Sequence, residues 1–207
     1  MTSTATSLLS TAYLAPIEWY AVMYRSQHTA IEQHEHYVKQ TWRNRCRILM
    51  PHGPQDLVIP VEKPAAGGCP IRDLRLSDHG NWQHHHWNAL RTAYGKTPYF
   101  EYYADDFHPF YHQHYDFLWD YNEQLRQLVC SLMDIQPDVS PTQQYIKNAV
   151  DMDDYRYSIH PRQNQPVVRD YAPRSYYQMF GGTAHFCPNL SIVDLLFNMG
   201  PESVLFL

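Results

Sequence analysis

The run SIVDLLFNMGP, residues 191–201, constrains the fold more than any other part of this chain. Ser191 followed by Asp194 has the form of a capping box, with Asp in place of Glu, and Leu190 and Leu195 stand at the hydrophobic staple positions. Gly200 suits a left-handed residue just past a helix end, and Pro201 forbids continuation. These signals predict a short helix over Ile192–Met199. Six of its eight residues are apolar and lie all round it, so it must be buried on most sides. Asp194 and Asn198 are four apart and share the remaining stripe. A buried polar group left unpaired costs about 1–3 kcal/mol, so both need partners. The plainer reading makes Asp194 a cap of its own helix. If the stripe faces inward, an ionised Asp194 needs a cation or at least two good donors. Arg43, Arg45 and Arg47 are then the cations with no evident commitment elsewhere. The helix is expected to act as a plug, facing the Asn44–Arg45 strand and His86.

The rest of the chain supplies what such a helix could close. TAIEQ reads as a buried strand, and RCRILM and QDLVIPVEK read as strands around the turn PHGP. IRDLRL reads as a further strand. Trp82, His86, Leu90 and Ala93 make a helical stripe, and Phe117, Leu118, Tyr121, Leu125, Leu128, Val129 and Leu132 make a longer one. Residues 1–10 are rich in Ser and Thr and are expected to be loose. The polar stretch 143–175, broken by Pro161, Pro166 and Pro173, is expected to be a long loop wrapping the surface, of the size that often serves as a lid. The expected fold is α/β: one domain over residues 1–207, with a mixed sheet from the N-terminal half, helices packed on it, and the last helix closing the core. An α+β arrangement is the second choice.

Composition narrows the partners. A net charge of −5 argues against nucleic acid, whose phosphates require a basic surface. Charged residues make up only 18%, while there are 17 Tyr and 13 His. Those side chains suit sugars and planar groups. No apolar run reaches the ~18 residues that span a bilayer. The first residues lack the basic and apolar regions of a secretory signal, so a cytoplasmic location is expected. Cys46, Cys69, Cys130 and Cys187 form no CxxC pair and read as reduced thiols.

The segment HEHYVKQTWRNR and its continuation carry Lys39, Arg43, Arg45 and Arg47 within nine residues. On a strand the three arginines would share one face and could clamp phosphate, with Tyr37 and Trp42 nearby to stack. A nucleotide-activated sugar would supply two phosphates. The alternative is a solvated edge paired with Glu32 and Glu35. His86, on an apolar stripe, is either a packing residue or a general acid or base. His34, His36, His84, His85, His108, His112 and His114 offer metal donors, but their spacing fits no standard ligand set, and no metal is expected. Gly181-Gly182 could form an anion-binding nest or a hairpin turn. No Walker loop, GxGxxG or GxSxG is present, so no cofactor is expected.

Four segments together resemble the WbqC-like family of bacterial proteins. They are TAYLAPIEWYA at residues 11–21, IEQHEHYVKQTWRNRCRI at 31–48, WQHHHWNALRTAYGKTPYFEYY at 82–103, and the C-terminal FCPNLSIVDLLFNMGPE. The chain resembles a shorter branch, because the Ser/Gly-rich segment of the type Tyr-Leu-Ser-Gly that many members carry is missing. The resemblance implies a role in O-antigen and other surface-polysaccharide assembly. It also points to Tyr13, Lys39, Asn44, Arg45, His86 and Asn189 as positions within the family's motifs. The expected site assigns phosphate to Lys39, Arg43 and Arg45, ligand orientation to Asn44, and substrate contact to Tyr13. Proton transfer falls to His86, and closure of the pocket to Asn189 and Asp194, with Asp194 counted beside His86 as catalytic. The expected partner is a small activated sugar or acyl donor. The rival expectation is a non-catalytic scaffold of a glycan-assembly complex.

Overall fold

Thr6–Ser10 forms strand β1, Ile17–Arg25 helix α1 and His28–Glu32 strand β2, a βαβ unit whose two strands pair in parallel. The structure is a computed structural model that describes residues 6–64, 67–163, 165–169, 171–181 and 186–207. Residues 6–10 are not loose, as Ser/Thr content suggested. Leu8 and Leu9 are fully buried, and the hydroxyls are used inside: Ser7 Oγ lies 2.6 Å from Ser26 Oγ, and Ser10 Oγ donates to the Arg156 carbonyl at 3.3 Å.

β2 is followed by a long excursion. Arg45–Met50 and Gly53–Val58 form the antiparallel hairpin β3–β4, turning at Pro51–His52 with Gly53 at φ +116°. Its core side carries Cys46, Ile48 and Leu57. The expected strand over residues 71–76 is instead a 3-10 turn at Ile71–Asp73, with only single bridges at Arg75 and Leu76. Ile71 and Leu74, both buried, are three apart, and that spacing matches a 3-10 turn rather than a strand. Helices α2 (Trp82–Tyr94), α3 (Phe100–Phe107) and α4 (Leu118–Leu132) follow; the first stripe read from sequence is buried throughout, and in the second Phe117, Leu128 and Leu132 are only partly buried.

The chain then returns to the first sheet. Val139–Pro141 is β5 and Met152–Asp154 is β6, giving a four-stranded parallel sheet in the order β5-β2-β1-β6. The protein is α/β. Two of the four strands come from beyond the helical middle, and the 143–175 stretch contributes β6 and the buried Arg156 rather than only wrapping the surface.

Helix α5 spans Ile192–Met199, as its caps predict, and all but Met199 of its residues are buried. Phe197 packs against Tyr94, Phe100 and Phe107 with ring centroids 5.1–5.3 Å apart. α5 therefore closes the core over α2, α3 and β3. Among the described residues, no helix is long and apolar enough to cross a membrane.

Candidate functional site at the carboxyl edge of the parallel sheet

In open α/β sheets, ligands bind beyond the carboxyl ends of the strands where the chain's direction of travel across the sheet reverses. Here that point lies between β1 and β6. β1 ends at Ser10, β2 at Glu32 and β6 at Asp154. Five charged side chains gather there. Arg43 donates through Nε to Glu35 Oε1 at 2.9 Å, through Nη2 to Glu35 Oε2, and through Nη2 to Ser10 Oγ at 2.7 Å. Arg156 forks onto Asp154 at 3.0 and 2.7 Å, donates to the Ile146 carbonyl at 2.7 Å, and reaches Glu32 at 3.4 Å. Glu32 also accepts from Thr142 Oγ1 and from the Ile146 and His34 amides. Burial would raise the Asp154 carboxyl, but the bonds from Arg156 outweigh it and hold it below the usual carboxylate range. Asn122 of α4 donates to the Arg43 carbonyl at 2.8 Å and to Thr11 Oγ1 at 3.2 Å, tying the helical layer to this edge.

Between these groups lies a small recess lined by Ser10, Thr11, Trp42, Arg43, Tyr155 and Arg156, with room for about one water molecule. Among the described residues the buried Trp42 indole Nε1–H has no acceptor. On the rim, the exposed Tyr157 ring covers both guanidinium groups, at 5.8 Å from Arg43 and 5.7 Å from Arg156. Tyr145 covers Arg156 at 5.5 Å. Arg162 reaches across to Gln40 Oε1 at 3.0 Å. The His160 imidazole is pushed down by burial and then by the charges of Arg162, Arg43 and Arg45.

The expected arginine clamp is divided. Trp42–Asn44 is a 3-10 turn, so strand alternation begins only at Arg45. Arg43 turns inward to Glu35, whereas Arg45 and Arg47 share the other side and both bond Asp56, at 3.4 and 2.7 Å. Asn44 is buried, and its Nδ2 donates to the Ile59 carbonyl at 2.8 Å, fixing the exit of β4. Lys39 is exposed on the loop before this turn.

His86 lies elsewhere. Its Nδ1 is 3.0 Å from the Tyr13 hydroxyl, which is 3.0 Å from the Tyr111 hydroxyl, in a buried cluster with Trp82 and Tyr121. Burial pushes the imidazole down to about 4 against a hydrogen bond with the Val58 backbone, so His86 is neutral at pH 7. The two regions meet through backbone, where the Tyr13 amide donates to the Trp42 carbonyl at 2.9 Å.

Asp194 does face inward, but its partners are neutral. Tyr94 and Tyr176 hydroxyls donate at 3.0 and 2.6 Å, and Gln178 Nε2 at 2.9 Å. Among the described residues neither a cation nor the capping box holds it: the Ser191 hydroxyl donates to the Leu14 carbonyl. Nor is Asp194 beside His86. Tyr94 lies eight residues along α2 from His86, about 12 Å at 1.5 Å per residue. Asn189 caps α1 from outside: its Oδ1 accepts from the Glu18 amide at 3.0 Å and its Nδ2 donates to Glu18 Oε1 at 2.6 Å. The helix start that receives phosphate in many α/β proteins is thus already filled. The Gly181-Gly182 nest has its second glycine outside the described residues. Ser10, Asp154 and Arg156 were not foreseen; the one signal was the Asp-x-Arg spacing in DDYRY, which suits a carboxylate bonding an arginine two residues on.

The model of the WbqC-like protein family matches residues 11–165. The chain is similar to "Uncharacterized protein Rv1507c" of Mycobacterium tuberculosis (strain ATCC 25618 / H37Rv), at 29% identity over 197 residues and 81% of each chain. No solved structure matches.

Proposed function

The chain belongs to the WbqC-like protein family, and from that premise we propose that it acts in assembly of bacterial surface polysaccharide. In this reading it is an enzyme that handles an activated sugar, or transfers a group to one, at the carboxyl edge of the parallel sheet. One observation carries the reading: Arg43 and Arg156, both buried, converge with three carboxylates at the point where the sheet reverses direction. Buried, fully bonded arginines are costly unless their geometry matters, and cations at the rim of such a network can recognise phosphate. Lys39, Arg45 and Arg162 would contact phosphate from the rim. Arg43 would act from beneath, and Asn44 would shape the turn that presents them. Tyr13 and His86 would hold the loop after β1, and Asn189 and Asp194 the closing segment.

Thermal-shift titration with nucleotide sugars and acyl donors tests this, because a ligand at 100 times its Kd adds about 2.7 kcal/mol. Arg45→Ala should abolish the shift with the circular dichroism spectrum unchanged. An undiminished shift in that variant would reject the rim assignment. A second reading, a non-catalytic partner in a glycan-assembly complex, is favoured by one fact: the buried charges at this edge already satisfy one another. Silence from every donor, together with co-purification of a glycan-assembly enzyme, would favour it.

A further inference from the structure

We propose that Tyr145 and Tyr157 form the stacking face for a nucleobase, so that the activated ligand is a nucleoside diphosphate derivative. The inference rests on the ligand reading above and assigns the part of the ligand that reading leaves open.

Both side chains are large, aromatic and about half exposed, at 47% and 55%. Each lies with its ring against a guanidinium while about half of the side chain is exposed. Tyr157 lies over Arg43 and Arg156, and Tyr145 over Arg156. The arginines beneath are themselves fixed, by Glu35 and Ser10 on one side and by Asp154 and the Ile146 carbonyl on the other. The rings therefore rest on a rigid floor and cannot sink into the core.

The cations below also set what can stack above. A ring face carries negative potential, and a guanidinium behind it draws that density away. The C–H groups of a sugar favour an electron-rich face, so these rings suit sugars poorly. An electron-rich base stacks well on an electron-depleted ring, and base–aromatic stacking tolerates any sequence because every base has a π face. A few residues on from Tyr157, Arg162 donates to Gln40 Oε1 at 3.0 Å. A diphosphate attached to a stacked base would lie along that rim.

The test is isothermal titration of the full chain with UDP, dTDP, GDP, CDP and glucose 1-phosphate. At least one nucleoside diphosphate should bind more tightly than glucose 1-phosphate. Tyr157→Ala should weaken that nucleotide about ten-fold, leave glucose 1-phosphate unchanged, and be rescued by Tyr157→Phe. Tyr157 is exposed, so the variant should fold. If glucose 1-phosphate binds as tightly as every nucleotide, or Tyr157→Ala changes nucleotide affinity less than two-fold, the stacking face is overturned while a phosphate site at this edge stands. If neither class binds, the reading of this edge and the stacking face fall together.

Discussion

Asp194 and His86 contribute to stability in opposite senses over one span of pH. Burial raises the Asp194 carboxyl from 3.8 to about 6, with the bonds from Tyr176, Tyr94 and Gln178 opposing. The folded chain then holds this proton more tightly than the unfolded chain. Stability from Asp194 is full below about pH 4 and is lost as pH rises to about 6. Burial lowers His86 from 6.5 to about 4. Its contribution is full above about pH 6.5 and is lost as pH falls toward 4. Each displacement corresponds to about 3 kcal/mol at the limit, so the two largely cancel. Urea unfolding of Asp194→Asn should show stability rising by about 1–2 kcal/mol between pH 4.5 and 6, and His86→Gln should show a fall of similar size. Flat profiles in both variants would mean that burial shifts neither group. Asp194→Ala, measured at pH 7, should cost about 2–4 kcal/mol, because it leaves three buried donors without their acceptor. A loss near 1 kcal/mol would mean that the three donors find other acceptors or water in the variant.

At the scale of elements, local signals marked what local forces determine. Strand β3 and helix α5 were legible to the residue, one from alternation in RCRILM and the other from its caps and its Gly-Pro stop. β1 was not, because a parallel strand covered on both faces does not alternate, and its serine hydroxyls find their partners in distant parts of the chain, Ser26, Arg43 and Arg156. β5 and β6 have three residues each, too few for a period, and exist only because β2 and β1 offer them edges. The candidate site followed the same division. The basic stretch around Arg43 and Arg45 was visible, but its meeting with Asp154 and Arg156 depends on strand order, which no local pattern encodes. The end of α5 carries a prediction of its own. Gly200 has φ +55° and ψ −130°, positive as expected but outside the left-handed helical region, and a Cβ there would stand 2.4 Å from Tyr99 Cδ1. Gly200→Ala should destabilise by about 1–3 kcal/mol. Adding Tyr99→Ala should recover part of that loss, since the two residues are in contact. Additive losses in the double variant would show that backbone strain alone is responsible.

For the molecule as a whole, the segment around α5 is a structural wall. The Ile17 amide donates to the Leu190 carbonyl at 3.0 Å, the Ser191 amide to Arg47 at 2.8 Å, and the Ile192 amide to Ala15 at 2.9 Å. Deleting residues 189–207 should therefore abolish cooperative unfolding and near-ultraviolet circular dichroism across the domain, not trim one corner of it. A truncated chain that still melted in a single sharp transition would contradict this. The position of β1 also has a consequence for biosynthesis. β1 pairs with β2 on one side almost as soon as both are made, but its other side waits for Met152–Asp154. At about 5–20 residues per second, translation leaves that edge bare for on the order of ten seconds. An open strand edge is a template for foreign strands, so the nascent chain is most prone to mispairing while its helices are being synthesised. Three residues of β6 then end the hazard, and a strand that short offers a newcomer little to pair with in its turn.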